Sequence, residues 1–206
     1  MLIQIKNGTI VTAEKERVDD LWVDDGKIVA IGAYSKPADY VIDAEGKYIL
    51  PGGVDPHVHM HLPTPAGFSS DDFDTGSMAA IYGGTTTIID FVTPQSGQSL
   101  VDALDERLKE AEKLHIDYSF HVSPVEWRDT TEQEIKTCIE RGITSFKIYM
   151  AYKNAVGLED NEIGNVLRAV GKHGGMVTVH AEMGDEIDAM RDKAFAEGSV
   201  EPANHA

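Results

Sequence analysis

The stretch GVDPHVH at residues 53–59 decides between the two folds that the rest of the sequence allows. The stretch is predicted to be a strand that ends in two histidines. A nucleotide-binding doubly wound sheet instead carries a glycine-rich phosphate loop after its first strand. Residues two apart on a strand point to the same side, so Asp55, His57 and His59 face together. A (β/α)8 barrel places its chemistry at the C-terminal ends of its strands. The stretch therefore favours a barrel.

Apolar strand candidates alternate with helical patterns throughout the chain from this stretch onward. The strands are predicted over 85–92, 118–122, 145–150 and 176–180, and the helices over 99–114, 131–141 and 159–173. This alternation, at a spacing of roughly 30 residues, is typical of a parallel α/β fold. A complete barrel needs roughly 250 residues. We therefore expect residues 51–206 to form a partial (β/α)8 TIM barrel of about five βα units, as the N-terminal fragment of a longer enzyme.

Residues 1–50 show a different pattern. Short stretches in which polar and apolar residues alternate, as in strands, are separated by residues that are typical of turns. Asp25-Gly26 is a typical hairpin turn, and Asn7-Gly8 predicts a second one. The region is too small to hold a large core by itself. We predict that it is the N-terminal portion of a small antiparallel β-sandwich domain that precedes the barrel.

Composition and charge limit the expected partners. The 206 residues include 18 basic and 35 acidic side chains, for a formal net charge of −17. This charge repels nucleic acid and anionic membranes, so neither is expected to bind. The N-terminus resembles no signal peptide, no apolar run approaches the roughly 20 residues that span a bilayer, and a single cysteine, Cys138, excludes an internal disulfide. We expect a cytoplasmic enzyme that acts on a small molecule.

Lys147 lies in the middle of the fourth predicted strand, among large apolar residues. An isolated lysine there commonly extends its amine to water. If it is buried instead, desolvation removes its charge, and a neutral amine can add carbon dioxide to give a carbamate that bridges two metal ions. His180 closes the fifth strand, where a histidine is more often structural than a ligand. Together with His57 and His59, however, these residues fall at one face of the predicted barrel, which favours a shared metal centre.

Three segments resemble a known family. GVDPHVH at 53–59 resembles the strand-one signature of the amidohydrolase superfamily, GGTTTIIDF at 83–91 resembles the second strand of its hydantoinase and dihydropyrimidinase members, and SFKIYMAY at 145–152 is similar to their carbamylated-lysine segment. The resemblance implies two zinc ions, with manganese or cobalt as alternatives. It implies that His57 and His59 hold one ion, that His180 holds the other, and that Lys147, as N6-carboxylysine, bridges them.

The same resemblance implies an activity, the hydrolysis of the cyclic amide bond of hydantoins and dihydropyrimidines to N-carbamoyl amino acids. It implies that Tyr152 hydrogen-bonds the substrate carbonyl oxygen, and that the full-length enzyme is a homotetramer. The family pattern also needs a histidine on strand six and an aspartate on strand eight. Both would lie beyond residue 206, so the isolated chain is expected to be inactive. Leu62, Phe68 and Tyr149 could line a pocket for an apolar substituent of the cyclic ureide.

Several alternatives remain open at this point. Dihydroorotases place an arginine two residues after the second histidine to hold a substrate carboxylate, whereas this chain has His61 there, which favours a neutral cyclic ureide. Allantoinases are also possible, and so is a non-catalytic dihydropyrimidinase-like scaffold, although retention of all four candidate ligands argues against a scaffold. Asp55 is either a group that orients a ligand or a structural carboxylate. His121 is either a core histidine or a ligand.

Overall fold

The computed structural model describes residues 1–64, 66–153 and 155–204. Contacts between residues divide the chain into two units, Met1–Gly53 and Val54–Ala206. The main sheet of each unit has five strands. Within the described ranges, no helix has both the length and the apolar character needed to cross a lipid bilayer.

The sheet of the first unit has the order β3-β2-β1-β4, and a fifth strand, β5, also pairs with β1. The strands are β1 (Leu2–Val11), β2 (Glu16–Asp24), β3 (Lys27–Ile31), β4 (Tyr40–Asp43) and β5 (Tyr48–Ile49). Asp25 and Gly26 form the predicted two-residue turn between β2 and β3, with φ angles of 45° and 76°. Both residue types tolerate this left-handed backbone, which matches the twist of the hairpin.

The antiparallel prediction holds for β1, β2 and β3, whereas β4 and β5 run parallel to β1. Hairpin signals report only on strands that are adjacent in sequence, and β4 reaches β1 through the connection at residues 32–39. The turn predicted at Asn7-Gly8 is wrong, because β1 continues through these residues with a bulge. Asn7 has a φ of 63° there. Asparagine tolerates the left-handed backbone of a bulge as well as that of a turn.

The sheet of the second unit has five parallel strands, each followed by a helix. The strands are β6 (Gly53–Val58), β9 (Thr85–Val92), β10 (Asp117–Val122), β11 (Ser145–Tyr149) and β12 (Met176–His180). The helices that follow them in turn are α1 (Phe73–Tyr82), α2 (Leu100–Ala111), α3 (Thr131–Glu140), α4 (Asp160–Lys172) and α5 (Gly184–Ala196). A small hairpin of β7 (Pro63–Thr64) and β8 (Gly67–Phe68) lies between β6 and α1, and a 3-10 turn, Pro202–Asn204, follows α5.

The strand order of this sheet is the order of the chain, β6-β9-β10-β11-β12. A doubly wound sheet reverses its order at a switch point, and this sheet has no such reversal. When crossovers are right-handed, sequential order places every helix on one side of the sheet, as in a barrel. The predicted α/β fold, a partial TIM barrel of five βα units, is confirmed.

The core of the second unit lies between the sheet and the helices. Side chains that are fully buried there come from both layers: Ile88, Leu104, Phe120, Ile135, Phe146, Ile148 and Val166. Burial of each such side chain contributes about 1.5–3 kcal/mol. Phe146 and Ile148 of β11 face this helix-side core, so Lys147 between them points to the opposite face, which is the barrel interior.

The sequence predicts β9 and β12 with the bounds that the structure has, but it misses α1 and α5. The buried face of α1 includes Gly76 and Ser77, which interrupt its apolar periodicity. The start of α1 is nevertheless marked by a capping box, in which the Asp72 side chain accepts a hydrogen bond from the Thr75 N–H at 2.9 Å. β6 ends at Val58, so His59 is the first residue beyond the strand.

Candidate metal centre

Two imidazoles lie together at the C-terminal end of β6. The ring centres of His57 and His59 are 5.3 Å apart, and the rings meet edge to face. Phe91, near the end of the neighbouring strand β9, contacts both, with centre distances of 4.7 Å and 4.4 Å. The His57 N–H donates to Asp55 Oδ1 at 3.1 Å, so Asp55 fixes the local backbone. The strand end thus presents two nitrogen ligands side by side.

Burial lowers the pKa of His59 below its usual value, because desolvation disfavours the charged imidazolium. The positive charges of His57, Lys147 and Arg107 lower this pKa further, while the carboxylate of Asp90 opposes them. A divalent metal binds the neutral imidazole. The surroundings of His59 therefore favour the protonation state that a metal ligand needs.

Lys147 points into the barrel interior and is only 7% exposed. Its Nζ lies 5.9 Å from the centre of the Phe91 ring and 5.2 Å from that of the Tyr149 ring. Burial lowers the pKa of its amine, because the charged form loses its hydration. In the described ranges Lys147 forms no salt bridge that would offset this loss. The surroundings of Lys147 thus fit the neutral amine that carbamate formation requires, and not an amine that extends to water.

His180 lies opposite Tyr149 in the register of β11 and β12, and the two ring centres are 5.8 Å apart. Its Nε2 is buried and has no hydrogen-bond partner within the part of the chain that the structure describes. Glu182 Oε2 is 2.7 Å from this nitrogen, but the contact lacks the geometry of a hydrogen bond. A buried imidazole nitrogen of this kind fits a metal ligand.

Shared aromatic neighbours connect these side chains. Phe91 contacts both histidines of β6 and the Lys147 amine, and Tyr149 contacts the Lys147 amine and His180. Across residues 1–64, 66–153 and 155–204, no three histidine, cysteine or acidic side chains form a metal-binding group by themselves. The Lys147 amine and the three histidines thus lie around the same two aromatic rings.

Tyr152 follows β11 in a tight turn. Its backbone has a φ of 60°, and its carbonyl accepts hydrogen bonds from the N–H groups of Ala155, Val156 and Gly157 at 2.9–3.0 Å. A left-handed conformation is uncommon for a bulky residue, and such strain clusters at functional sites. The Tyr152 ring is 5.5 Å from the His180 ring, and the side chain is 55% exposed. Tyr152 is thus beside His180 and open to a ligand.

His121 belongs to the core and not to the centre. Its Nδ1 lies 2.6 Å from Ser145 Oγ, and its Nε2 lies 2.8 Å from the Pro56 carbonyl oxygen. Both ring nitrogens therefore have hydrogen-bond partners, and the residue is only 7% exposed. The contacts tie β10 to β6 and β11 beneath the histidines of β6.

The loop after β6 is closed at its base by backbone contacts. The His61 N–H donates to the Asp71 carbonyl at 2.7 Å, and the Ser69 N–H donates to the Leu62 carbonyl at 2.9 Å. His61 stacks on Phe68, with ring centres 4.1 Å apart. Leu62 and Phe68 remain 39% and 63% exposed. Both apolar side chains are available to a ligand, and their role in substrate binding stays a prediction.

The comparison with known proteins decides the family. A model of the amidohydrolase family matches residues 48–203, which is most of the sequence. This chain belongs to the amidohydrolase family. The family prediction made from the histidine and lysine segments is therefore confirmed.

Individual amidohydrolases that resemble this one include hydantoinases and dihydropyrimidinases. The chain is 44% identical to a D-hydantoinase of Geobacillus stearothermophilus over 98% of its own length and 44% of the relative. It is 41% identical to a dihydropyrimidinase of Dictyostelium discoideum, over 98% of the chain and 41% of the relative. The crystal structure of a dihydropyrimidinase from Brevibacillus agri matches with a TM-score of 0.94 and 41% identity, over 100% of this chain and 45% of that one. The chain thus spans less than half the length of these relatives.

The structure places two further charged residues close to His59 that were not predicted from the sequence. Asp90 of β9 is 1% exposed, and Arg107 of α2 forms a salt bridge with it at 3.1 Å. Both contact the backbone of Met60, next to His59. A signal for them exists in the sequence. Asp90 interrupts an apolar strand, and Arg107 lies seven residues after Leu100, on the buried face of α2, so each charge requires a partner.

Proposed function

We propose that this chain supplies the metal-binding half of an active site that hydrolyses the cyclic amide bond of hydantoins and dihydropyrimidines, giving N-carbamoyl amino acids. One observation carries the proposal: the buried Lys147 amine lies between Phe91, which contacts the two histidines of β6, and Tyr149, which contacts His180. The names of the relatives supply the reaction class.

The proposed centre holds two divalent ions, with zinc expected and manganese or cobalt as alternatives. His57 and His59 would hold one ion and His180 the other. Lys147 would bridge them as N6-carboxylysine. This group forms when the neutral amine attacks carbon dioxide: the nitrogen–carbon bond forms as one C=O π bond opens and leaves its electron pair on oxygen, and the nitrogen releases a proton to solvent. Desolvation of the amine supports this step, because it lowers the fraction that carries a proton.

The bound ions would supply Lewis acidity at the substrate carbonyl and an activated water. The residues of the chain would act around them. The Tyr152 hydroxyl would donate a hydrogen bond to the carbonyl oxygen as negative charge develops there. The strained backbone of Tyr152 is held by three N–H groups of its own turn, so this donor is positioned before a substrate arrives.

The proposed substrate is a neutral cyclic ureide. His61 occupies the position of the carboxylate-binding arginine of dihydroorotases, and it stacks on Phe68. Leu62 and Tyr149 are proposed to contact the ring and its substituent. The contacts of Tyr149 with both Lys147 and His180 support this role. The aspartate and the further histidine that the family pattern requires would come from outside these 206 residues, so the chain alone is expected to be inactive.

The domain assignment is part of the proposal. Residues 1–50 would belong to a β-sandwich domain, and residues 51–206 to an incomplete barrel domain. Large apolar side chains are exposed on the two edge strands of the barrel sheet, with Val54 on β6 and Met176 on β12 exposed by 61% and 63%. Further βα units would cover them. We also propose that the full-length enzyme is a cytoplasmic homotetramer without nucleic-acid or membrane partners.

Turnover and metal content test this function in the longest natural polypeptide that contains the sequence. We expect about two zinc ions per chain and hydrolysis of dihydrouracil or 5-phenylhydantoin. Lys147→Met should abolish both, whereas Lys172→Met should retain both, because Lys172 is an exposed residue of α4 that pairs with Glu132. Wild-type protein without metal and without turnover would support the scaffold instead. Preferred turnover of allantoin or dihydroorotate would assign a different member of the family.

A further inference from the structure

We propose that the buried Asp90–Arg107 ion pair is a positioning device that fixes His59 for metal binding by holding the backbone of Met60 on both sides. Asp90 lies on β9 and Arg107 on α2, so the pair joins a strand and a helix to the end of a second strand. The inference rests on the proposed metal centre and concerns residues that touch no ligand themselves.

The ion pair forms hydrogen bonds with both backbone polar groups of Met60, its N–H and its carbonyl. Asp90 Oδ2 accepts the Met60 N–H at 3.0 Å, and Arg107 Nη2 donates to the Met60 carbonyl at 2.5 Å. The same Nη2 donates to Asp90 Oδ1 at 3.1 Å. β6 ends at Val58, so Met60 lies where the sheet no longer holds the chain. The ion pair thus replaces the missing strand contacts immediately after His59.

The guanidinium of Arg107 is itself fixed from other sides. It lies over the Phe73 ring at 4.3 Å, and Nη1 pairs with Glu110 at 2.5 Å. The Met60 side chain packs against α1, where a Cβ added at Gly76 would come within 2.9 Å of its sulfur. Met60 is therefore held at its N–H, its carbonyl and its side chain.

Asp90 also orients the aromatic partner of the histidines. Its Oδ1 accepts the N–H of the next residue, Phe91, at 2.5 Å, and the Phe91 ring stacks on His59 with an interplanar angle of 16°. One carboxylate therefore fixes the backbone after His59 and the ring against it. This double contact distinguishes the pair from a simple link between α2 and the sheet.

Stability alone does not explain this arrangement. Asp90 is 1% exposed and the Arg107 side chain 14% exposed, and a buried ion pair is commonly no more stabilising than apolar side chains of similar volume. Replacing a residue that orients a metal ligand without binding the metal typically weakens metal affinity by about 10- to 100-fold. We therefore expect the pair to act on the geometry of the centre.

Zinc titration of the longest natural polypeptide that contains the sequence, against a chromophoric chelator, tests the inference, with Arg107→Lys as the variant. Lysine keeps the positive charge, but it lacks the planar group that reaches Asp90, Met60 and Phe73 together. We expect zinc affinity to fall about tenfold or more. Arg128→Lys is the matched control, because Arg128 also joins a glutamate, Glu134, to backbone carbonyls, and its described contacts include none of the proposed ligands. The control should bind zinc as the wild type does.

The outcomes separate this inference from the proposed function. If the wild-type polypeptide binds no zinc, the proposed metal centre and the positioning role are both overturned. If wild type and Arg107→Lys bind equally, within about twofold, only the positioning role is overturned. Asp90→Asn, which preserves shape, provides a second variant with the same expected loss. Failure of both variants to fold, as seen by circular dichroism, would assign the pair to stability instead and overturn the inference.

Discussion

Gly157→Ala is expected to disrupt the turn that carries Tyr152. A Cβ built at Gly157 would lie 2.2 Å from the Ala151 carbonyl oxygen and 2.8 Å from the Lys153 nitrogen. Ordinary van der Waals contact with a Cβ begins near 3.4 Å, so a backbone shift of about 1 Å is needed. Both neighbours are backbone atoms, which cannot rotate away as a flexible side chain does. Overpacking of this kind typically costs about 1–3 kcal/mol.

Thermal unfolding measures the stability that Gly157→Ala loses. A loss of about 2 kcal/mol lowers the melting temperature by about 4–8 °C in a protein of 150–250 residues. The substitution also disturbs the hydrogen bond from the Gly157 N–H to the Tyr152 carbonyl. In the longest polypeptide that contains the chain, turnover should therefore fall while zinc content stays unchanged.

Gly171→Ala is the matched control for the same chemical change. Gly171 lies in helix α4, and a Cβ added there meets no atom within 4 Å. Alanine should raise the stability of this helix by about 0.5–1 kcal/mol. The two variants should thus shift the melting temperature in opposite directions. Equal melting temperatures would refute the packing argument for the Tyr152 turn.

Three further substitutions test individual parts of the centre. Tyr152→Phe removes the proposed oxyanion donor and should lower kcat about 10²- to 10³-fold at unchanged zinc content; wild-type turnover would exclude this role. His121→Ala leaves Ser145 and the Pro56 carbonyl without partners and should lower the free energy of unfolding in urea by about 2 kcal/mol, with zinc binding retained. A loss below about 0.5 kcal/mol would contradict its place in the core. Because burial lowers the pKa of Lys147, the unfolded chain binds more protons than the folded one between that lowered pKa and the ordinary value of 10.5. Lys147 should therefore add a contribution to the stability of metal-free protein that rises with pH in this window, in buffer free of carbon dioxide, against the opposing contribution of the buried Cys138 thiol, whose pKa burial raises to about 11. Lys147→Met should remove that rise, and an unchanged slope would show that the amine is not buried.

The barrel and the strands that carry the candidate ligands could be predicted because their signals are local. Alternation along β11 separates Lys147 from Phe146 and Ile148, and this period of two fixes which side chain enters the interior. The same rule predicts that His57 and His59 face together, although the strand itself ends at Val58. Sequential order of the strands then brings separate segments to one edge without further information.

The remaining features depend on contacts between distant residues. The parallel pairing of β4 with β1 cannot be predicted from turns, because the partners are far apart in sequence. Asp90 and Arg107 are charged residues at positions where the local pattern predicts apolar ones. Only the fold shows that both form hydrogen bonds with the backbone of Met60. The strain at Tyr152 is also invisible in sequence, since tyrosine gives no signal for a left-handed backbone.

Anomalous diffraction at the zinc edge, from zinc-loaded crystals of the longest natural polypeptide that contains the sequence, tests the central claim most directly. We expect scattering peaks beside His57 and His59 and beside His180, with density for a carboxylated Lys147 between them. Peaks at other sites, or a Lys147 side chain directed to solvent in the presence of zinc, would contradict it.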